Sequence, residues 1–342
     1  MAYKVSNSNI ITNSNVATFK RVIVGVHEDF APLGPVQGTT SGYTSGGQRS
    51  PSAPPIYIGS NEIDKFPFSA DANATDVGDL TETGIQRQTS GSSSSSNGYV
   101  AGGSGTISNP GKKSKIDKFP FSSDTNASNI GDLVVATDYN AGNSSSTHGY
   151  STGGGKPPPG PPYVVNVIEK YSFSSDGNAS DVGDLLQEQY RHTGQSSPSH
   201  GYASGGYDAP YTAMNVIQKF TFASDANATD VGDLLTSNAI AEGGNSSLTH
   251  GYVAGGSPNL NLIEKFPFSS DTNASDVGDL TQGRAATSGN NSAVSGYVTG
   301  GLTHPPFVGV VTIDKFPFSS DANATDVGDL TIARNSMSGQ QV

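Results

Sequence analysis

Residues 63–80 read IDKFPFSADANATDVGDL, and the same wording returns at Ile116 (IDKFPFSSDTNASNIGDL), Ile168 (IEKYSFSSDGNASDVGDL), Ile217 (IQKFTFASDANATDVGDL), Ile263 (IEKFPFSSDTNASDVGDL) and Ile313 (IDKFPFSSDANATDVGDL). A second unit, GYxxGG, alternates with it at Gly42, Gly98, Gly149, Gly201, Gly251 and Gly296, so each occurs six times with starts 45 to 56 residues apart. Such a period fits propeller blades of roughly 40–50 residues. Helical solenoids are excluded, because a helix interior cannot carry this much glycine, proline and serine. The expectation is an all-β chain, a six-bladed β-propeller.

The local chemistry agrees. IxKFxF is built from good sheet formers. GYVAGG sets a short apolar strand before a glycine pair able to take positive φ where a blade turns. The proline at 67, 120, 267 and 317 cannot donate to a ladder, which predicts an outer or bulged strand there. DVGDL reads as a bounding turn. After Leu330 only TIARNSMSGQQV remains, the opening of a GDL-to-GY segment without its GY, while the first GY at Gly42 has no GDL before it. The C-terminal strand should therefore complete the first blade and close the ring, leaving no free edge at the seam. Residues 35–342 are read as the propeller and residues 1–34 as a short N-terminal docking arm outside the repeat.

The formal charge of -12 argues against nucleic acid as a partner. No stretch reaches the roughly 18 apolar residues of a membrane span, so membrane insertion is not expected. The opening MAYKVSNSNIITNS lacks the apolar core of a secretory signal. With no cysteine in the chain, thiol nucleophiles, disulfides and cysteine-bound metal centres are excluded. Two connectors vary between blades: from GG to Ile, as in GKPPPGPPYVVNV (155–167), and from GDL to GY, as in TETGIQRQTSGSSSSSN (81–97). Variable loops on a constant scaffold are where a binding surface is expected.

Three sets of recurring polar residues invite chemistry. The loop DANATDVGDL sets oxygens at alternating positions (Asp71, Asn73, Thr75, Asp76 and Asp79, with Asp321, Asn323, Thr325, Asp326 and Asp329 in the last copy) and raises calcium. Its glycine stands eighth rather than sixth, and turn-building by Asp and Asn folding back on their own backbone is the favoured reading. The lysine of IxK (Lys65, Lys118, Lys170, Lys219, Lys265, Lys315) is expected to pair with the Asp of GDL in the same blade, Lys65 with Asp79 and so on. His148, His200 and His250 precede GY, but Asn97, Ser295 and Ser41 take that place elsewhere, so a strand-end role is expected rather than a metal or a catalytic one. No GxSxG, P-loop or HExxH is present. No catalytic residue, cofactor or metal site is assigned, and the protein is read as non-enzymatic.

The order GYVAGG, IEKFPFSSDTNASDVGDL, then TQGR or TIAR resembles the kelch repeat. Gly255 and Gly256 match its glycine pair, Phe266 its aromatic, and Arg284 and Arg334 its trailing arginine, whereas its tryptophan is absent. The kelch-like copper oxidases need a cysteine that this chain lacks. KFPFSSDANATDVGDL alternating with SSTHGYVAGG, after an opening like MAYKVS, is also similar to repeat proteins of tailed phages of marine bacteria. That resemblance implies a virion structural protein such as a tail fibre or other appendage. The implied partners are other virion proteins through residues 1–34 and a host cell-surface glycan or protein, with a homo-oligomer compatible. Such a protein would be assembled in the host cytoplasm. A capsid decoration or cement protein, a calcium-dependent adhesin and a propeller enzyme are the alternative readings.

Overall fold

The six copies form six antiparallel blades arranged around one axis, as a computed structural model shows. The structure describes residues 37–49, 58–82, 89–105, 111–157, 163–209, 211–237, 243–305 and 307–342; the expected docking arm, 1–34, lies outside them. No helix occurs among the described residues.

The second blade shows the pattern. Its innermost strand Ser90–Ser93 pairs with Asn97–Ala101, which pairs with Lys115–Pro120, and Ser128–Asp132 lies outermost. Innermost strands Ala141–Ser144, Thr193–Ser196, Gly243–Ser246 and Ser288–Asn291 open the third to sixth blades. In the first blade the C-terminal strand Ser338–Gln341 pairs with Ser41–Ser45, followed by Glu62–Pro67 and Thr75–Asp79. The chain thus closes its own ring as expected.

Two strand assignments need correction. IxKF is the third strand and not the outer one, and its irregularity falls between Ile63 and Asp64 rather than at Pro67, the strand's last residue. DVGD is no bounding turn; it is the outermost strand in every blade. The Ser-rich GDL-to-GY connectors also hide a strand, since their second halves, SGSS (90–93) for example, line the axis.

Aromatic packing between blades explains the GY unit. Gly42 pairs with Phe66 across two strands, and a Cβ on Gly42 would sit 2.4 Å from the Phe66 ring, so only glycine lets that ring lie flat over the strand. Tyr43 next to it packs against Phe119 and Phe121 of the following blade, with centroids 5.6 and 4.9 Å apart. Ile63, Leu80, Val100 and Phe119 join the same core cluster. The residue after each Ile is buried as well, as Asp64 shows at 0% exposure, because stacked blades cover both faces of the third strand. The glycine pairs take positive φ as expected, 78° and 102° at Gly102 and Gly103.

Candidate binding face

Strand direction sorts the loops into two ends. Both connectors emerge at one end. In the second blade Thr137 donates to the Lys113 carbonyl and Gly103 to the Thr137 carbonyl, joining the segment after the outer strand to the one before the third strand. The opposite end is constant: Phe121, Phe173, Phe222, Phe268 and Phe318 each donate a backbone N–H to the turn between the two inner strands, at Ser96, Thr147, Ser199, Thr249 and Val294.

The axis between the ends is sealed by glycine. Gly91, Gly142, Gly194, Gly244, Gly289 and Gly339 touch in a closed circuit, and a Cβ on any of them would lie 1.9–2.5 Å from a neighbouring glycine's carbonyl oxygen. This ring leaves a cavity of about 60 Å3 on the connector side and one of about 50 Å3 on the constant side. Each has room for a few waters, far below the roughly 300–1,000 Å3 of a small-molecule site. Backbone-to-side-chain bonds tie the innermost strands together, with the amides of Ser93, Ser144 and Ser196 donating to the hydroxyls of Ser144, Ser196 and Ser246 at 3.0 Å each.

The loop residues suspected of calcium binding are engaged in protein contacts. Asp76 accepts from Gly78 N in its own loop at 3.2 Å, as an Asx turn would. Asn73, however, reaches the preceding blade and accepts from Asp329 N at 3.1 Å, while Ala74 N donates back to the Asp329 carbonyl at 2.8 Å. Equivalent residues repeat this clasp around the ring, as Asn126 does with Asp79. Among the described residues no three His, Asp or Glu side chains gather as a metal site would require.

The lysine strut is corrected in its partner. Lys65 pairs with Asp124 at 3.0 Å and Lys315 with Asp71 at 2.9 Å, so each lysine joins the next blade's SSD loop instead of its own GDL. Lys118, Lys170, Lys219 and Lys265 do the same with Asp176, Asp225, Asp271 and Asp321. The GDL aspartates stay on the outer strands. With two aspartates per outer strand in six copies and Asn129 the single exception, eleven acidic residues line the perimeter. Their charge guards the exposed strand edges against pairing with other chains.

His148, His200 and His250 each begin a second strand, with Nδ1 2.8 Å from the hydroxyl of Thr147, Ser199 or Thr249. Burial, helped by the neighbouring lysine, holds each below the usual imidazole range. What the turn requires of this position is its backbone amide, which donates to Ser145 at His148 and likewise to Ser94 at Asn97. That accounts for the interchange of His, Asn and Ser.

Sequence reading missed a set of matched pairs between blades. Thr81, Thr281 and Thr331 donate hydroxyl and amide to Asp117, Asp314 and Asp64 of the following blade. Where the donor is Val134, Leu186 or Leu235, with no hydroxyl, the acceptor is the longer Glu169, Gln218 or Glu264, which reaches the backbone amide itself. Arg284 and Arg334, the trailing arginines, are fully buried on Asp314 and Asp64 at 2.9 and 2.8 Å. Glu169 and Glu264 have no such cation, and burial pushes them up to about 6 and about 7 despite two amide donors each.

The connector end is uneven. Tyr139, Tyr190, Tyr207 and Tyr211 gather there with Arg191, in the loops of the third and fourth blades. No model of a known protein family matches the chain, and no curated protein matches it in sequence.

Proposed function

We propose that this propeller is a non-enzymatic recognition module displayed on the virion of a tailed phage, held to the particle through residues 1–34 and meeting the host surface with its connector end. The observation that carries the reading is the division of the ring: segments that vary between copies leave from one end, whereas the other repeats the same short turns. A rigid ring with variable loops on one end suits surface recognition. The kelch-like order of the repeat and its phage-like wording supply the setting.

Electron microscopy of particles labelled with antibody to this chain tests the placement, with label expected on a tail or other appendage. Label on the capsid would favour a cementing role, and label nowhere on particles would overturn the proposal. Removing residues 1–34 should abolish incorporation. Purified full-length chain added before infection should slow adsorption.

A further inference from the structure

We infer that the connector end of the third and fourth blades carries a binding site for a neutral saccharide, built on Tyr139, Tyr190, Tyr207 and Tyr211 with Arg191. This names a ligand class for the recognition face proposed above and rests on that reading.

Tyrosine placement sets these residues apart. Six tyrosines belong to the repeated GY units, and Tyr171 replaces a core phenylalanine. The connector tyrosines among the described residues all fall between positions 139 and 211, so the cluster is no product of the repeat. It is also preorganised. Tyr190 is 9% exposed and anchors the group: Tyr207 stacks on it at 5.7 Å with rings 29° apart, while Tyr139 and Tyr211 meet it edge-on at 6.1 and 6.0 Å. The short pairing of Gln189–Tyr190 with Tyr207–Asp208 fixes those two rings. The Arg191 guanidinium lies 4.2 Å from the Tyr139 ring centroid and donates to the Tyr139 hydroxyl at 2.9 Å.

Tyr211 is the part turned to solvent. It is 75% exposed and held at φ 87°, a conformation unfavourable for a bulky residue, by hydrogen bonds that its own N–H donates to the Asp208 carbonyl and the Thr212 N–H donates to the Asp208 carboxylate, both 2.8 Å. Backbone strain supporting an exposed aromatic is a recurring mark of a binding site.

The surrounding charges choose the ligand. The charges beside the rings are engaged within the protein, Lys112 with the buried Asp138, Arg191 with Tyr139 and Asp208 with the Thr212 amide, which leaves the rings and their hydroxyls as the frame a ligand meets. A pyranose, with one apolar C–H face and hydroxyls that both donate and accept, fits that frame. An anionic sugar would find both cations already engaged, Lys112 by Asp138 and Arg191 by Tyr139. A protein partner would call for an apolar centre, yet among the described residues the exposed aliphatics of these blades, Leu186 and Leu235, follow the outer strands at the perimeter.

The test uses the full chain with maltohexaose, cellohexaose, a linear mannohexaose and, as an acidic control, a galacturonate hexamer. Binding is read by isothermal titration calorimetry, because fluorescence from the ten tyrosines outside the cluster would mask its signal. At least one neutral hexamer should bind. Tyr211→Ala should weaken that binding about tenfold or more with an unchanged melting temperature, and Tyr211→Phe should retain most of it. No binding by any neutral hexamer at about 10 mM, preference for the galacturonate, or affinity indifferent to Tyr211→Ala would each overturn the inference. A chain that blocks adsorption but binds none of the sugars sinks the saccharide site alone. Sugar binding by a chain found nowhere on particles sinks the virion reading alone.

Discussion

Gly339 of the C-terminal strand lies so close to Gly289 that a Cβ on Gly339 would sit 1.9 Å from the Gly289 carbonyl oxygen. The contact joins the strand that closes the ring to the innermost strand of the sixth blade, and five like contacts complete the circuit. The obstacle is backbone and cannot rotate away. Gly339→Ala should therefore force neighbouring blades apart and cost about 3 kcal/mol, as overpacked cores do. Gly177→Ala, with nothing within 4 Å of the added carbon, is the matched control and should be close to neutral. Urea unfolding of both variants checks this.

The two buried glutamates make stability depend on pH. Glu169 and Glu264 bind their protons more tightly in the folded ring than in the unfolded chain, so their contribution is fully present below about pH 4.5 and is lost as pH rises through about 6 and about 7. At about 1.36 kcal/mol per unit, the loss is roughly 2 kcal/mol for Glu169 and 3 for Glu264. Gln218 fills the same position in the fourth blade, so a Glu169→Gln/Glu264→Gln protein should fold. Its melting temperature should exceed that of the parent at about pH 8 and lose that margin toward about pH 4.5. A constant margin would refute the assignment.

His192 acts in the opposite direction. It is fully buried with Nε2 3.0 Å from the Thr152 hydroxyl, and burial holds it down to about 3. A depressed imidazole binds protons better when unfolded, so stability falls as pH drops below about 6.5 toward 3. Asn140 occupies the equivalent place in the third blade. His192→Asn should flatten the acid limb of the melting profile between those values.

Arg334 reaches the Asp64 carboxylate and the carbonyls of Gly46 and Glu62 without exposure to water. Arg334→Met should cost about 3–5 kcal/mol by leaving the buried Asp64 carboxylate with its Thr331 donors but without its cation, and adding Asp64→Asn should restore part of it. A double-mutant cycle would report the coupling.

For the Lys–Asp ring the expected effect is small. The pairs are half exposed, 30% and 56% at Lys65 and Asp124, and a single Lys65→Met should cost under about 1 kcal/mol. Coupling should appear in the cycle with Asp124 and vanish in the one with Asp79.

The repeat alone determined the architecture of this protein. The period, the sheet-forming IxKF, the positive-φ glycine pairs and the unmatched ends of the chain required six blades closed by the C-terminus, because these depend on spacing and local backbone preference. The innermost strands were hidden, since SGSS and GGNS have little strand propensity and are strands only because they pack on their neighbours at the axis. The tertiary structure also decided which aspartate each lysine meets. Asp79 and Asp124 are equally plausible along the chain, and blade stacking brings Asp124 within 3.0 Å of Lys65. The tyrosine cluster shows the same limit: Tyr139 and Tyr211 are far apart in sequence and belong to different connectors, and only the turn from one blade to the next brings both against Tyr190. Spacing along the chain fixes what each blade is, whereas contacts between blades form only when the ring closes.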